Sequence, residues 1–171
     1  MQRPGPDYMM VTSQDCEGKI TSREWVKITE PDHYDSCGIS EVPRYIARFF
    51  ASTSSFIGLS FFQPEGRDLA SLCKQDGGLS IILLFGHERD PADEARARKI
   101  FEELGATTMH DYLVPGDQGR DIRWRVEGDV DQITLLYRQV LMEILHFTED
   151  EPLDVSFRDQ DPERIAIPLS E

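Results

Sequence analysis

Leu79-Ser80-Ile81-Ile82-Leu83-Leu84-Phe85-Gly86 is the stretch from which the rest of the chain can be read. Its almost unbroken apolar run is the pattern of a central strand covered on both faces, and Gly86 closes it. Downstream, Asp90-Pro91 has the chemistry of a helix start. The carboxylate accepts from free first-turn amides, and proline takes a position whose N–H would have no partner. Ala97, Ile100, Phe101 and Leu104 then recur at helical spacing, and Gly105 offers a left-handed stop. Glu94 with Arg98, Arg98 with Glu102, and Lys99 with Glu103 form i,i+4 pairs on the solvated side.

Thr107 to Val114 and Arg120 to Glu127 flank Pro115-Gly116-Asp117-Gln118-Gly119, a run of turn formers, and so predict a hairpin. In its second arm Ile122, Trp124 and Val126 alternate with Arg123, Arg125 and Glu127, which puts Trp124 in the core. A helix is predicted from about Val130 to Phe147, with Asp129 and Asp131 at its positive end. Its stripe of Val130, Ile133, Tyr137, Val140, Leu141 and Ile144 is widened by Leu136, Met142 and Leu145. Leu153, Val155 and Phe157 alternate as a last strand. The order strand, helix, strand, strand, helix, strand over about residues 79–158 predicts an α+β, ferredoxin-like βαββαβ sandwich, its sheet antiparallel and both helices on one face.

Upstream, Arg23 to Glu30 reads as a strand ended by Pro31, and Asp32 to Ile39 as a loop. A helix over Glu41 to Ser52, capped by Ser40, buries Tyr45, Ile46, Phe49 and Phe50. Phe56 to Gln63 reads as a strand, Arg67 to Gln75 as a short helix with Leu69, Leu72 and Cys73 on one side, and Asp76-Gly77-Gly78 as a turn. Residues 20–78 thus form an N-terminal β-α-β extension that either lengthens the sheet or covers its open face, in a single domain over 20–158. Met1 to Lys19 has no apolar core of a signal peptide and reads as a flexible leader, and residues 159–171 read as an acidic tail.

With 32 acidic against 18 basic residues in 171, the formal net charge is −14. That surplus repels nucleic-acid phosphates and attracts basic proteins. The apolar runs are too short to span a bilayer, so no membrane contact is expected. Cys16, Cys37 and Cys73 are odd in number and form no CxxC pair, which points to a reducing, cytoplasmic setting without disulfides.

Neither Asp129 with Asp131 nor Asp154 with Asp159, Asp161 and Glu163 has the oxygen pattern and glycine turn of a calcium loop. Gly116 and Gly119 lie between two strands, and Gly77-Gly78 precedes one, so no phosphate cradle is expected. No metal or cofactor is expected. Of His33, His87, His110 and His146, His33 lies nearest a thiol, Cys37, with Asp35 between them, the basis of a cysteine-dependent enzyme alternative. His87 and Glu88 fall just past the central strand, as a polar loop. Arg120, Arg123 and Arg125 form a short basic stripe, and Trp25 and Tyr112 are candidate contact aromatics.

These features predict a non-catalytic acidic binding protein for a basic protein partner, such as a toxin-immunity or antitoxin protein. The predicted contact acids are Glu149, Asp150, Glu151 and Asp154 beside the last strand, with Asp159, Asp161 and Glu163 in the tail. The alternative is a ferredoxin-like small-ligand-binding or regulatory domain that forms a homodimer through its sheet or its wide apolar helix.

Overall fold

A computed structural model describes residues 2–15, 17–27, 33–63, 69–75, 78–86, 90–116 and 119–169. The described residues are α+β and mostly strand, with two antiparallel sheets and three α-helices. It divides into two units, residues 1–30 with 160–171, and residues 31–159.

The first unit is a three-stranded sheet of β1 (Tyr8–Gln14), β2 (Ile20–Lys27) and β10 (Arg164–Ile167), ordered β1-β2-β10. Strands therefore occupy parts of both segments expected as leader and tail. Tyr8-Met9-Met10-Val11-Thr12 and Arg164-Ile165-Ala166-Ile167 are short β-prone runs masked by polar flanks, and pairing to β2 selects them: Met10 faces Trp25 on one side and Ile165 faces it on the other. The Asp15 carboxylate accepts from the amides of Glu17 and Lys19 at 3.0 and 2.9 Å, fixing the β1–β2 turn.

The second unit is built on a seven-stranded sheet ordered β3-β9-β4-β5-β6-β8-β7. Its strands are β3 (His33–Cys37), β4 (Phe56–Phe62), β5 (Leu69–Gln75), β6 (Gly78–Gly86), β7 (Thr107–Leu113), β8 (Gly119–Arg125) and β9 (Leu153–Gln160), whose last residue belongs to the first unit. Helices α1 (Val42–Ala51), α2 (Pro91–Glu103) and α3 (Val130–Gln139) complete it. Register aligns Leu59, Leu72, Ile81 and Trp124 in one buried row, and Phe61, Ala70, Leu83 and Ile122 in the next. These rows join the core with Tyr45, Ile46 and Phe49 of α1, Ala97 and Phe101 of α2, and Ile133 and Tyr137 of α3. Phe101 stacks on Trp124 at 4.1 Å and 6°. The small Ala70 leaves room for the fully buried Tyr137, whose hydroxyl donates to the Ala70 carbonyl.

Leu69–Gln75 is a strand, in place of the expected short helix. Its Leu69, Leu72 and Cys73 fit helical spacing, but Ala70 and Leu72 also alternate at period two, and β4 and β6 satisfy its backbone on both sides. The Asp32 to Ile39 loop contains β3, drawn into the sheet by pairing of Cys37 with Leu153 and Ser36 with Asp154. Of the N-terminal elements, β4 and β5 stand in the sheet between β9 and β6, and α1 lies beside α3 on the same face of the sheet, where Phe61 meets both Tyr45 of α1 and Tyr137 of α3. The predicted 130–147 helix stays α-helical to Gln139 and then widens to a π turn, Val140–Ile144, with Leu145 N–H donating to the Val140 carbonyl at 3.1 Å. The wider turn buries Val140, Leu141, Ile144 and Leu145 together, which accounts for the broad apolar stripe. At Gly119, φ is +139° and a Cβ would overlap the Phe85 carbonyl oxygen, so this position requires glycine. Among the described residues no helix is long and apolar enough to cross a membrane.

The Phe101–Trp124 stack gives a direct stability test. Phe101→Ala should cost about 3–5 kcal/mol in urea unfolding, whereas Leu104→Ala, at a side chain 58% exposed, should stay within about 0.5 kcal/mol.

Candidate functional site

Thr148-Glu149-Asp150-Glu151-Pro152 turns the chain into β9. Glu151 N–H donates to the Thr148 carbonyl at 3.2 Å, and the Glu151 carboxylate accepts from Thr148 N–H at 3.4 Å. Next to it, Gly38 starts a 3-10 turn, Ile39–Glu41, in which the Glu41 carboxylate accepts from Gly38 N–H at 3.0 Å. Between the two turns lies a hollow of about 360 Å³ lined by Ser36, Cys37, Gly38, Glu41 and Glu149 to Pro152. Four carboxylates line it and no basic side chain does. Arg44 pairs with Glu41 at 3.3 Å and Arg138 with Glu149 at 3.0 Å, but neither arginine is among the lining residues and both pairs are exposed, so they offset little of this charge.

Three of the predicted acids, Glu149, Asp150 and Glu151, are thus brought together, and a fourth, Glu41, was missed. Its signal was the spacing Gly38 to Glu41, a capping pattern that places the turn two residues before the cap read at Ser40. Asp154 lies on β9 opposite Ser36, and Asp159 accepts a hydrogen bond from the Ser52 hydroxyl. Asp161 and Glu163 belong to the other unit, where Lys27 N–H donates to the Glu163 carbonyl at 3.0 Å.

Cys37 sits at the base of the hollow with its thiol pushed up to about 11, first by burial and then by the charges of Glu41 and Asp35. His33 is four residues away on the same extended strand, which separates the two Cα atoms by about 13 Å. The His33 side chain, His87, Glu88 and Cys16 lie outside the described residues.

At the other end of the sheet, charges are spent on one another. Arg98 of α2 donates to Asp111 at 2.6 Å and Glu94 at 3.1 Å, and Arg120 reaches the same two acids at 2.7 and 3.1 Å. The Arg98 hydrogen bond, opposed by burial and reinforced by Arg120, holds the Asp111 carboxyl below its usual value. The basic stripe is therefore divided: Arg120 joins this quartet, Arg123 donates to the Ser80 hydroxyl at 3.0 Å, and Arg125 lies exposed beyond them. His110 Nε2 lies 2.9 Å from Asp121, which also accepts from the Tyr112 hydroxyl at 3.1 Å; the Asp121 charge raises the Tyr112 phenol. His146 closes the π turn at φ 59° and holds both Asp93 oxygens at 2.9 Å. Among the described residues no group of three or more His, Cys, Asp or Glu side chains is placed to hold a metal ion.

No protein-family model, curated protein or solved structure matches the chain, so its functional reading rests on these geometries.

Two outcomes follow from the titrations. Because Asp111 has a lowered folded value, its stabilisation is present above the ordinary carboxyl value of 3.8 and is lost as pH falls through the lower folded one. Asp111→Asn should therefore be less stable than the native chain at neutral pH, with the gap in urea midpoint closing at acid pH. Iodoacetamide at about pH 8 should leave Cys37 unmodified in the folded protein and label it after unfolding, since the thiolate is the reactive form; rapid labelling of the native chain would contradict the raised value.

Proposed function

We propose that this chain is a non-catalytic binding protein whose anionic hollow receives a cationic side chain of a basic protein partner, the mode of action of an immunity or antitoxin-type protein. The single observation that carries the reading is a shallow, open hollow lined by Glu41, Glu149, Asp150 and Glu151 with no cation among its lining residues. In a chain of net charge −14, such a surface combines long-range attraction with a local seat for one guanidinium or ammonium group. Asp154, on the adjoining strand, extends the field, while Asp159, Asp161 and Glu163 add to the net negative charge. The two described thiols, Cys37 and Cys73, are buried and unpaired, in keeping with a cytoplasmic setting.

A second reading keeps the ferredoxin-like description, with β6, α2, β7, β8, α3 and β9 as the βαββαβ unit and β4-β5 inserted between β9 and β6. The observation favouring a small-ligand role for that unit is a groove of about 600 Å³ between the end of α2 and α3, floored by Ile100, Ile133 and Leu136 and flanked by Leu104 and Leu135. The hollow is the stronger of the two because its lining residues carry a single sign of charge.

A labelled oligoarginine peptide tests the hollow by fluorescence anisotropy. Glu41→Gln/Glu149→Gln/Asp150→Asn/Glu151→Gln should weaken binding at least roughly tenfold. A control with the same net charge, Glu102→Gln/Glu103→Gln/Glu127→Gln/Asp131→Asn, should weaken it much less, and native binding should fall as salt rises. Equal losses in the two variants would reduce the effect to net charge and remove the hollow from the account.

A further inference from the structure

The seven-stranded sheet ends in two strands of opposite character. Among the described residues no strand pairs with the outer edge of β7, and β7 is seven residues long. Three of its side chains are large, apolar and exposed: Met109 at 42%, Tyr112 at 48% and Leu113 at 52%. Its one carboxylate, Asp111, is held between Arg98 and Arg120. The devices that protect an edge from other strands are lysines, prolines, bulges and short length. Of these β7 has a single irregularity, between Thr108 and His110, which leaves His110 to Leu113 regular.

We propose that the outer edge of β7 is a self-association surface on which a second copy of this chain pairs edge to edge and antiparallel. What complements a row of free backbone donors and acceptors is another extended strand. A two-fold axis makes the same strand serve both sides, so the exposed apolar groups of each copy are covered by those of the other. Charge selects this edge for a like partner. Each copy carries −14, and the opposite edge, β3, bears exposed Asp35 and adjoins Glu41, Glu149, Asp150 and Glu151, where a second copy meets its own sign. On β7 the acid is already neutralised. The sheet would thus use one edge for its own kind and leave the acidic end to a cation. Because global like-charge repulsion opposes the pairing, added salt strengthens it, whereas salt weakens oligoarginine binding at the hollow; the two proposals fail separately.

Sedimentation equilibrium of the full chain, from about 1 to about 200 µM at low and high salt, decides the point. The weight-average mass should climb from the monomer value of 19.6 kDa towards twice that, at lower protein concentration when salt is added. Met109→Lys/Leu113→Lys, at two exposed side chains, should shift the midpoint at least roughly tenfold upward with an unchanged near-ultraviolet spectrum. Should that variant fail to fold, hydrogen exchange of the native chain supplies the answer: amides of residues 109–113 should slow with rising protein concentration. A monomer throughout the range, an unaltered dimer in the folded lysine variant, concentration-independent exchange in β7, or a dimer abolished only by Leu104→Lys/Leu135→Lys would each overturn the proposal.

Discussion

The second unit depends on one set of contacts, the burial of two cross-strand rows, Leu59-Leu72-Ile81-Trp124 and Phe61-Ala70-Leu83-Ile122, beneath the helices. Each row crosses four strands, so its hydrophobic stabilisation exists only when β4, β5, β6 and β8 are in register; a one-residue slip would turn every one of these side chains to the other face. Ala70 is the narrow point of its row, and Tyr137 fills the space above it. Burial and register are in this sense a single constraint. The positions of the sheet edges, and so of the surfaces proposed to bind, follow from it.

What was legible in the sequence follows from how local each signal was. The helix starts at Asp90 and Asp129 lie in the immediate chain neighbourhood, and the structure has both caps, with Ala92 and Gln132 amides donating to those carboxylates. Alternation in Ile122, Trp124 and Val126 likewise marks one buried face. Leu69–Gln75 was misread because seven residues can satisfy both periods, and only the flanking strands choose between them. β3 and β10 were hidden for a related reason: each is short and gains its strand conformation from a neighbour distant in sequence, whereas β1 pairs with the adjacent β2 but lies in a run of polar, proline and glycine residues.

The candidate site was partly legible. The run Glu149-Asp150-Glu151 stands out in any charge plot, but a charge plot has no concavity. Glu41 enters the hollow only because β3 pairs with β9 and brings the Gly38 turn beside the Thr148 turn, a juxtaposition separated by more than a hundred residues of chain. The quartet of Glu94, Arg98, Asp111 and Arg120 shows the reverse case. Half of it was visible as a helical i,i+4 pair, yet its effect is to remove charge from β7, which is what sets that edge apart from the acidic one.

The three-stranded unit draws β1 and β2 from one end of the sequence and β10 from the other. During synthesis the ribosome delivers the first two strands early and their third partner after everything between residues 31 and 159 has emerged. One side of β2 therefore waits for its partner until residues 31–159 have emerged, while the larger unit is contiguous in sequence and free to mature on its own schedule. The order of biosynthesis thus makes β10 the strand that closes the small sheet, after the whole of the larger unit has emerged.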